Sequence, residues 1–198
     1  MKFLILIAGI LSYVHAYTQI GEVKFQDATF ENGMTYPQVL VANAPDVESR
    51  INVNIKEQLK EEEASDFCIG QYGYVQKGLH LQILVFCNCI DYEESKTRFI
   101  LYNLETGEAV PYSDILGLKR KEATGNFLVE KVKLFLGDNT GLTVELIEKI
   151  KKENLDAFNV ELTRAGISIS LKNFETWGEK TLELTWGELR SFLRVNYI

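Results

Sequence analysis

The chain has 198 residues, of which 21 are Lys or Arg and 28 are Asp or Glu, so its formal net charge at pH 7 is −7. An acidic balance of this size disfavours nucleic acid and anionic membranes as partners, because both attract clustered Lys and Arg side chains. A cationic partner suits the chain better. The length allows a sizeable core and is typical of one domain.

The first sixteen residues have the pattern of a secretory signal peptide. Lys2 supplies the positive start, residues 3–11 form an apolar run, and Val14 and Ala16 are small residues at positions −3 and −1 of a cleavage site. The run is too short to span a bilayer, and no later stretch reaches eighteen apolar residues. We therefore expect a secreted or periplasmic protein whose mature part, residues 17–198, forms a single α+β domain. Cleavage removes one lysine and no acid, so the net charge changes from −7 to −8.

The start of the mature chain predicts two extended segments and one amphipathic helix. Residues 23–30 alternate between apolar and polar side chains, and the residue before Pro37 avoids the helical region. A helix is expected to begin near Pro45, because proline is tolerated in the first turn. Its apolar residues fall four apart on a face that should pack inward. These are Val47, Ile51, Ile55 and Leu59.

The rest of the chain predicts strands, then helices, then strands again. A hairpin with its turn at Lys77-Gly78 is expected first, because a glycine in a two-residue loop favours a tight turn. Thr185 and Glu188 have the spacing of a capping box that opens a last helix through Arg194. The predicted strands are 66–76, 79–90, 96–104, 158–163, 167–171 and 181–184, and the predicted helices between them are 127–136 and 142–153. Because strands and helices come in groups, the fold class is α+β with a mainly antiparallel sheet packed against helices.

Three cysteines follow the signal peptide, and an oxidising compartment permits a disulfide. If Lys77-Gly78 is a two-residue loop, Cys68 lies opposite Cys87 on the neighbouring strand, and a Cys68–Cys87 bridge becomes feasible. Cys89 lies two residues further along on the same face. The alternative is that all three are buried thiols acting as small hydrophobic residues.

No constellation of residues indicates catalysis or a cofactor. The only histidine outside the signal peptide, His80, lies beside a hairpin turn and fits a half-exposed strand residue better than a general base. The cysteines lack the spacing of a zinc site, and nucleotide-binding glycine loops are absent. We therefore expect no catalytic residue, no metal ligand and no cofactor.

Carboxylates are the remaining source of chemistry. Asp91, Glu93 and Glu94 are close in sequence, and a glycosidase needs two carboxylates on opposite sides of the bond that it breaks. The sequence does not show such a pair, and a solvated acidic loop is the simpler interpretation.

Six short pieces, in the same order along residues 30–195, resemble a family of extracytoplasmic domains of unknown function. The family includes the C-terminal lysozyme-sensing domain of the anti-sigma-V factor and an accessory domain of a peptidoglycan deacetylase. The pieces are YPQV (36–39), INVNI (51–55), the strand pair ending near Phe86, YNLETG (102–107), YSDIL (112–116) and LTWGEL (184–189).

The resemblance implies an α+β fold that acts outside the cytoplasm, with sensing of lysozyme known for one member. The chain departs from that sensor because it lacks a transmembrane helix and a sigma-binding part, and it lacks the deacetylase domain too. No catalytic residue carries over. The leading hypothesis is a binding module for a basic protein or a cell-wall glycan. The alternatives are a carboxylate-dependent hydrolase of envelope polymers and a purely structural secreted protein.

Overall fold

The structure is a computed structural model that describes residues 22–117, 121–137, 142–171 and 180–194. The expected signal peptide lies outside these ranges. The described residues form eight strands in three antiparallel sheets, together with five α-helices, and this arrangement confirms the α+β class.

The elements follow the predicted order. The strands are β1 (Val23–Thr29), β2 (Thr35–Val41), β3 (Cys68–Lys77), β4 (His80–Cys89), β5 (Lys96–Asn103), β6 (Asn159–Leu162), β7 (Gly166–Ser170) and β8 (Thr181–Thr185). The helices are α1 (Pro45–Gln58), α2 (Lys60–Glu63), α3 (Lys121–Leu136), α4 (Val144–Glu153) and α5 (Trp186–Leu189), with short 3-10 helices at Tyr112–Ile115 and Asn154–Ala157. The sheets are β1-β2, β3-β4-β5 and β6-β7-β8.

The central sheet, β3-β4-β5, separates two clusters of buried side chains. Alternate residues of a strand point to opposite faces, so Leu81, Ile83 and Val85 of β4 face the β1-β2 sheet and α1. The inward face of α1 meets them there, and Ile51 and Ile55 are fully buried as predicted. This first cluster therefore forms between the N-terminal elements and one face of the central sheet.

The second cluster belongs to the C-terminal elements. Leu101 of β5 points away from α1 and joins buried residues of α3, α4 and the third sheet. Val75 of β3 packs against the same cluster. The C-terminal elements thus cover one end of the second face of the central sheet.

The hairpin between β3 and β4 corrects the expected cysteine pairing. Lys77 pairs with His80, so the turn residues are Gly78 and Leu79 rather than Lys77 and Gly78. Gly78 has φ of +55°, and a hairpin turn that starts with glycine needs this conformation at its first position. A Lys77-Gly78 turn of the favoured kind would have forced positive φ on a lysine, which its Cβ disfavours.

The two-residue change in register moves Cys68 opposite Cys89. These two residues form the disulfide, with Cα atoms 4.1 Å apart, and Cys87 is a buried free thiol. The expected Cys68–Cys87 pairing is therefore wrong.

The last helix is shorter than predicted. Thr185 and Glu188 form the capping box, but α5 ends at Leu189 instead of Arg194. Leu193 leaves the helix to make an isolated β-bridge with Leu116, and the backbone N–H of Arg194 donates to Ile115 O at 3.1 Å. A tertiary contact thus ends the helix where the local pattern would have continued it.

Candidate functional site

The solvent side of α1 presents three parallel rows of side chains, because residues four apart lie on one side of a helix. Ser49 and Val53 form the middle row, and the Val53 side chain is 54 % exposed. A groove lies on each side of this row, and both grooves are lined by Ser49 and Val53. The middle row therefore forms a ridge, the Val53 ridge, and the two grooves are the troughs on either side of it.

The first groove, of about 490 Å³, lies between α1 and the turn after β5. Arg50, Asn54 and Glu57 line its helix side. Gly107 and Glu108 line the opposite side. Most of the lining residues are polar, and they carry charges of both signs.

Gly107 brings the turn against the helix. Its φ is +74°, and a Cβ there would lie 2.7 Å from Val47 O, which leaves no room for a side chain. Arg50 Nη1 donates to Thr106 O at 2.9 Å and ties the same turn to α1. Glycine at 107 therefore fixes the width of the first groove.

The second groove, of about 320 Å³, lies between α1 and β2. Glu48, Asn52 and Lys56, which are spaced by four, line its helix side. Tyr36 and Gln38 of β2 line the opposite side. Tyr36 is mostly buried and its ring stacks on that of Phe30, so this wall is rigid.

Hydrogen bonds from α1 hold both walls in place. Asn52 accepts from Val39 N and donates to Val39 O, both at 2.8 Å, and Glu48 Oε2 accepts from Val41 N at 3.0 Å. The side chains of α1 thus pair with the free edge of β2 as a neighbouring strand would.

On the other side of α1, the Tyr102 hydroxyl donates to Asn54 Oδ1 at 2.9 Å. Burial raises the pKa of Tyr102 above its ordinary value, so its hydroxyl keeps the proton that it donates. The protonated Tyr102 hydroxyl therefore holds Asn54 at the edge of the first groove.

The contacts bring together pieces that the sequence analysis had singled out separately. The INVNI piece supplies Asn52 and Asn54, which bind the YPQV piece through Val39 and the YNLETG piece through Tyr102. The sequence analysis did not identify the grooves, because it interpreted only the inward face of this helix. The available signal was the pair of asparagines two residues apart inside a helix. Asparagine is a poor helix former, so its presence there indicates a specific contact of the side chain.

His80 differs from its expected environment. It is 3 % exposed rather than half-exposed, and its Nε2 lies 3.0 Å from Asp114 Oδ2. Arg194 Nη2 donates to the other oxygen of Asp114 at 2.5 Å. Asp114 therefore connects the buried histidine of β4 with Arg194, and none of the three lines either groove.

The acidic residues 91, 93 and 94 do not form a catalytic pair in a cleft. Asp91 Oδ2 accepts from Ser65 Oγ at 2.5 Å, while Glu93 and Glu94 are exposed on the turn after β4. Among the described residues, Glu62 is the fully buried carboxylate, and its Oε1 accepts from Arg98 Nε at 2.9 Å and from Arg98 Nη2 at 2.7 Å. This ion pair neutralises the carboxylate inside the fold.

The described ranges contain no group of three or more His, Cys, Asp or Glu side chains placed to hold a metal ion. Of the helices in these ranges, none has the length and apolar character needed to cross a membrane. The chemistry available at α1 is therefore that of hydroxyl, amide, carboxylate and cationic groups around one apolar ridge.

Comparison with known proteins gives a fold but no activity. No protein-family model matches the sequence, and no curated protein matches it in sequence. Among solved structures, a DUF3298 family protein from Pseudomonas aeruginosa PAO1 has a TM-score of 0.50 at 10 % identity, over 89 % of this chain and 96 % of that one. A DUF3298 member from Bacteroides fragilis NCTC 9343 has a TM-score of 0.43 at 13 % identity, over 90 % and 95 %. The chain is thus similar in fold, over nearly its whole described length, to a family of domains of unknown function.

Proposed function

We propose that the protein is a secreted or periplasmic binding module, and that the two grooves beside α1 bind a cell-wall glycan. The observation that carries this proposal is the pair of open troughs, lined mostly by polar residues, on either side of the Val53 ridge. Sites for small drug-like ligands are mostly apolar and enclosed. Open troughs lined by amides and charges suit an extended polar polymer instead.

The chemistry of the lining supports a glycan. Sugar hydroxyls and acetamide groups both donate and accept hydrogen bonds, so they need mixed partners. Arg50 and Lys56 donate, and Glu57 and Glu108 accept. The Val53 ridge offers an apolar contact for the faces of sugar rings, which carry C–H groups.

The site is also preorganised. The walls are fixed by the Asn52 and Asn54 hydrogen bonds, so a ligand orders few protein groups when it binds. The expected export signal and the resemblance to extracytoplasmic domains support a ligand in the cell envelope.

A second candidate ligand is a small basic protein such as lysozyme. The net charge of −7 supports it, because an acidic surface accelerates encounter with a cationic partner. Net charge accelerates encounter with any cationic partner but does not select one. The basic protein is therefore supported by less evidence than the glycan, which the groove geometry supports.

The test is binding of the exported protein to purified peptidoglycan, to soluble N-acetylglucosamine oligomers and to lysozyme, with the Val53→Arg variant beside it. An arginine at 53 would place a long charged side chain on the ridge that borders both troughs. The matched control is Val144→Arg, which makes the same change at a 77 % exposed valine on α4. We expect Val53→Arg to weaken glycan binding at least about tenfold, the scale of one lost central contact, and Val144→Arg to leave it unchanged.

Two results would contradict the proposal. Glycan binding that is equal in both variants would place the site elsewhere on the molecule. Binding to lysozyme alone, weakened by added salt, would replace the glycan by the second candidate.

A further inference from the structure

The central sheet has a face that is only half covered. In the observed register, Ile69 lies opposite Asn88, and Leu84 lies between Gly73 and Phe99 on the neighbouring strands. Because side chains alternate along a strand, these residues are on the side of the sheet away from α1. The ladder continues one pair beyond the hairpin, because Ile90 N donates to Phe67 O at 3.0 Å. We call this part of the sheet the outer face. Its apolar residues are Phe67, Ile69, Leu84, Phe86, Ile90 and Phe99.

The outer face is exposed. Phe67 is 53 % exposed, Ile69 52 %, Phe86 37 % and Ile90 71 %. A Cβ built on Gly73, halfway along the edge strand β3, would meet no atom within 4 Å. The covered end of the same sheet face begins two residues further along, at Val75, which packs on the C-terminal cluster.

The outer face is also uncharged among the residues that the structure describes. Gln71, Asn88 and Thr97 are the polar side chains that alternate with the apolar ones. The charged residues of β5, Lys96 and Arg98, point to the other side of the sheet, where they pair with acidic residues of α2. Contiguous exposed apolar surface of this kind usually marks an interaction site.

We propose that the outer face binds a second copy of this chain, as a two-fold dimer in which the two sheets pack face to face. A protein with a net charge of −7 repels its own copies through most of its surface. A face without charge is where two copies can meet without burying like charges. A basic partner would gain nothing there, and an anionic membrane would find no lysine or arginine.

The area fits a weak dimer. A free aromatic or large aliphatic side chain presents about 150–250 Å², so the four most exposed side chains leave roughly 400 Å² in water. With their half-exposed neighbours, two copies would bury about 1,000–1,200 Å², at the lower limit for specific interfaces. A dissociation constant of about 1–100 µM follows, since small interfaces of this kind are transient.

The dimer would leave the α1 grooves open, because α1 packs on the opposite face of the central sheet. Two grooved surfaces in one particle would strengthen attachment to a polymer that carries many copies of the ligand. The inference itself is independent of the proposed function, because it rests on the outer face alone.

The test is sedimentation equilibrium of the exported protein from about 1 µM to about 1 mM, the range around the expected dissociation constant. The variants are Ile90→Glu and, as a second position on the face, Ile69→Glu. The control is Leu134→Glu, the same kind of change at a 79 % exposed leucine on α3. Circular dichroism checks that each variant is folded.

We expect the wild type and Leu134→Glu to dimerise, with dimerisation strengthened by salt because salt screens the mutual repulsion. Each outer-face variant should weaken the dimer at least about tenfold, since it places a charge inside an apolar contact. A wild type that stays monomeric throughout would overturn the proposal. A dimer unaffected by both outer-face variants would also overturn it, and so would a monomer that instead binds neutral phosphatidylcholine vesicles through Ile90.

Discussion

Cys87 and Cys89 lie on the same face of β4, and their partners on β3 decide which of them is oxidised. Cys89 is opposite Cys68, whereas Cys87 is opposite Gly70, which has no side chain to bridge. A Cβ at position 70 would overlap Thr35 O, so the glycine is required by the close approach of β2. Burial raises the pKa of the Cys87 thiol to about 11, and a protonated thiol is a poor nucleophile. Cys87 is therefore a packing residue.

The first prediction concerns these three residues. Alkylation of the unreduced protein should leave Cys87 unmodified in the native state and should modify Cys87 alone after unfolding. The Cys68→Ala/Cys89→Ala variant should lose about 3 kcal/mol of unfolding free energy, the chain-entropy value for a loop with a sequence separation of 21 residues. Peptide mass spectrometry and urea denaturation measure the two effects. The matched control is Cys87→Ala, which removes a sulfur without opening a bridge; a bridged Cys87 in the peptide map would contradict the structure.

At the scale of elements, α1 both packs the core and covers the edge of a sheet. Its inward row buries Ile51 and Ile55, and its neighbouring row uses Asn52 and Glu48 to pair with β2. An uncovered strand edge invites pairing with other chains. The helix therefore protects β2 while it forms the walls of the two grooves.

The second prediction removes this edge contact. Asn52→Ala leaves Val39 N and Val39 O without their partner, and we expect a loss of about 2 kcal/mol in unfolding free energy, because Val39 is fully buried. Asn88→Ala, at an exposed asparagine of β4, should change the unfolding free energy by less than about 0.5 kcal/mol. Both are measured by chemical denaturation below the concentration at which the chain dimerises. If Asn52→Ala lowers the unfolding free energy no more than Asn88→Ala does, then water replaces the hydrogen bonds of the Asn52 side chain.

Periodicity predicted most elements because it reports which face of a segment is buried. The α1 pattern at positions 51 and 55 and the capping box at Thr185 are local signals, and the structure confirms both. The predicted hairpin register was wrong because the sequence allows a two-residue turn at either Lys77-Gly78 or Gly78-Leu79. Only the backbone conformation of Gly78 distinguishes the two turns. The predicted exposure of His80 was wrong for a different reason, because its observed partner Asp114 is distant in sequence.

The candidate site was the least predictable part. Each groove forms between α1 and a segment from elsewhere in the chain, so no local pattern contains it. Residues of the YPQV, INVNI and YNLETG pieces line the grooves, but the sequence of each piece does not show that the pieces touch. The amide side chains Asn52 and Asn54 became interpretable only with their partners Val39 and Tyr102 in place.

At the scale of the whole molecule, the buried amide of Gln82 links the central sheet to the C-terminal cluster. Gln82 of β4 is 2 % exposed and points toward the C-terminal elements. Its Nε2 donates to Val160 O at 2.7 Å and to the Tyr112 hydroxyl at 2.5 Å, and its Oε1 accepts from Leu162 N at 2.7 Å. Gln82 thus completes the free edge of β6, as Asn52 completes that of β2.

The third prediction tests this junction with Gln82→Leu. Leucine has nearly the same volume as glutamine, so packing is kept while Val160 O and Leu162 N lose their partner inside the protein. We expect a loss of about 3 kcal/mol in unfolding free energy and a fall in Tm of roughly 6–12 °C, because buried unpaired backbone groups cost about 1–3 kcal/mol each. The control is Gln76→Leu, at an exposed glutamine of β3, which should shift Tm by no more than about 2 °C.

A single transition in both variants would indicate that the two clusters unfold together, whereas separate transitions in Gln82→Leu would show that this amide couples them. Equal Tm values for the two variants would contradict the structural role of Gln82, because the edge of β6 would then be satisfied without it.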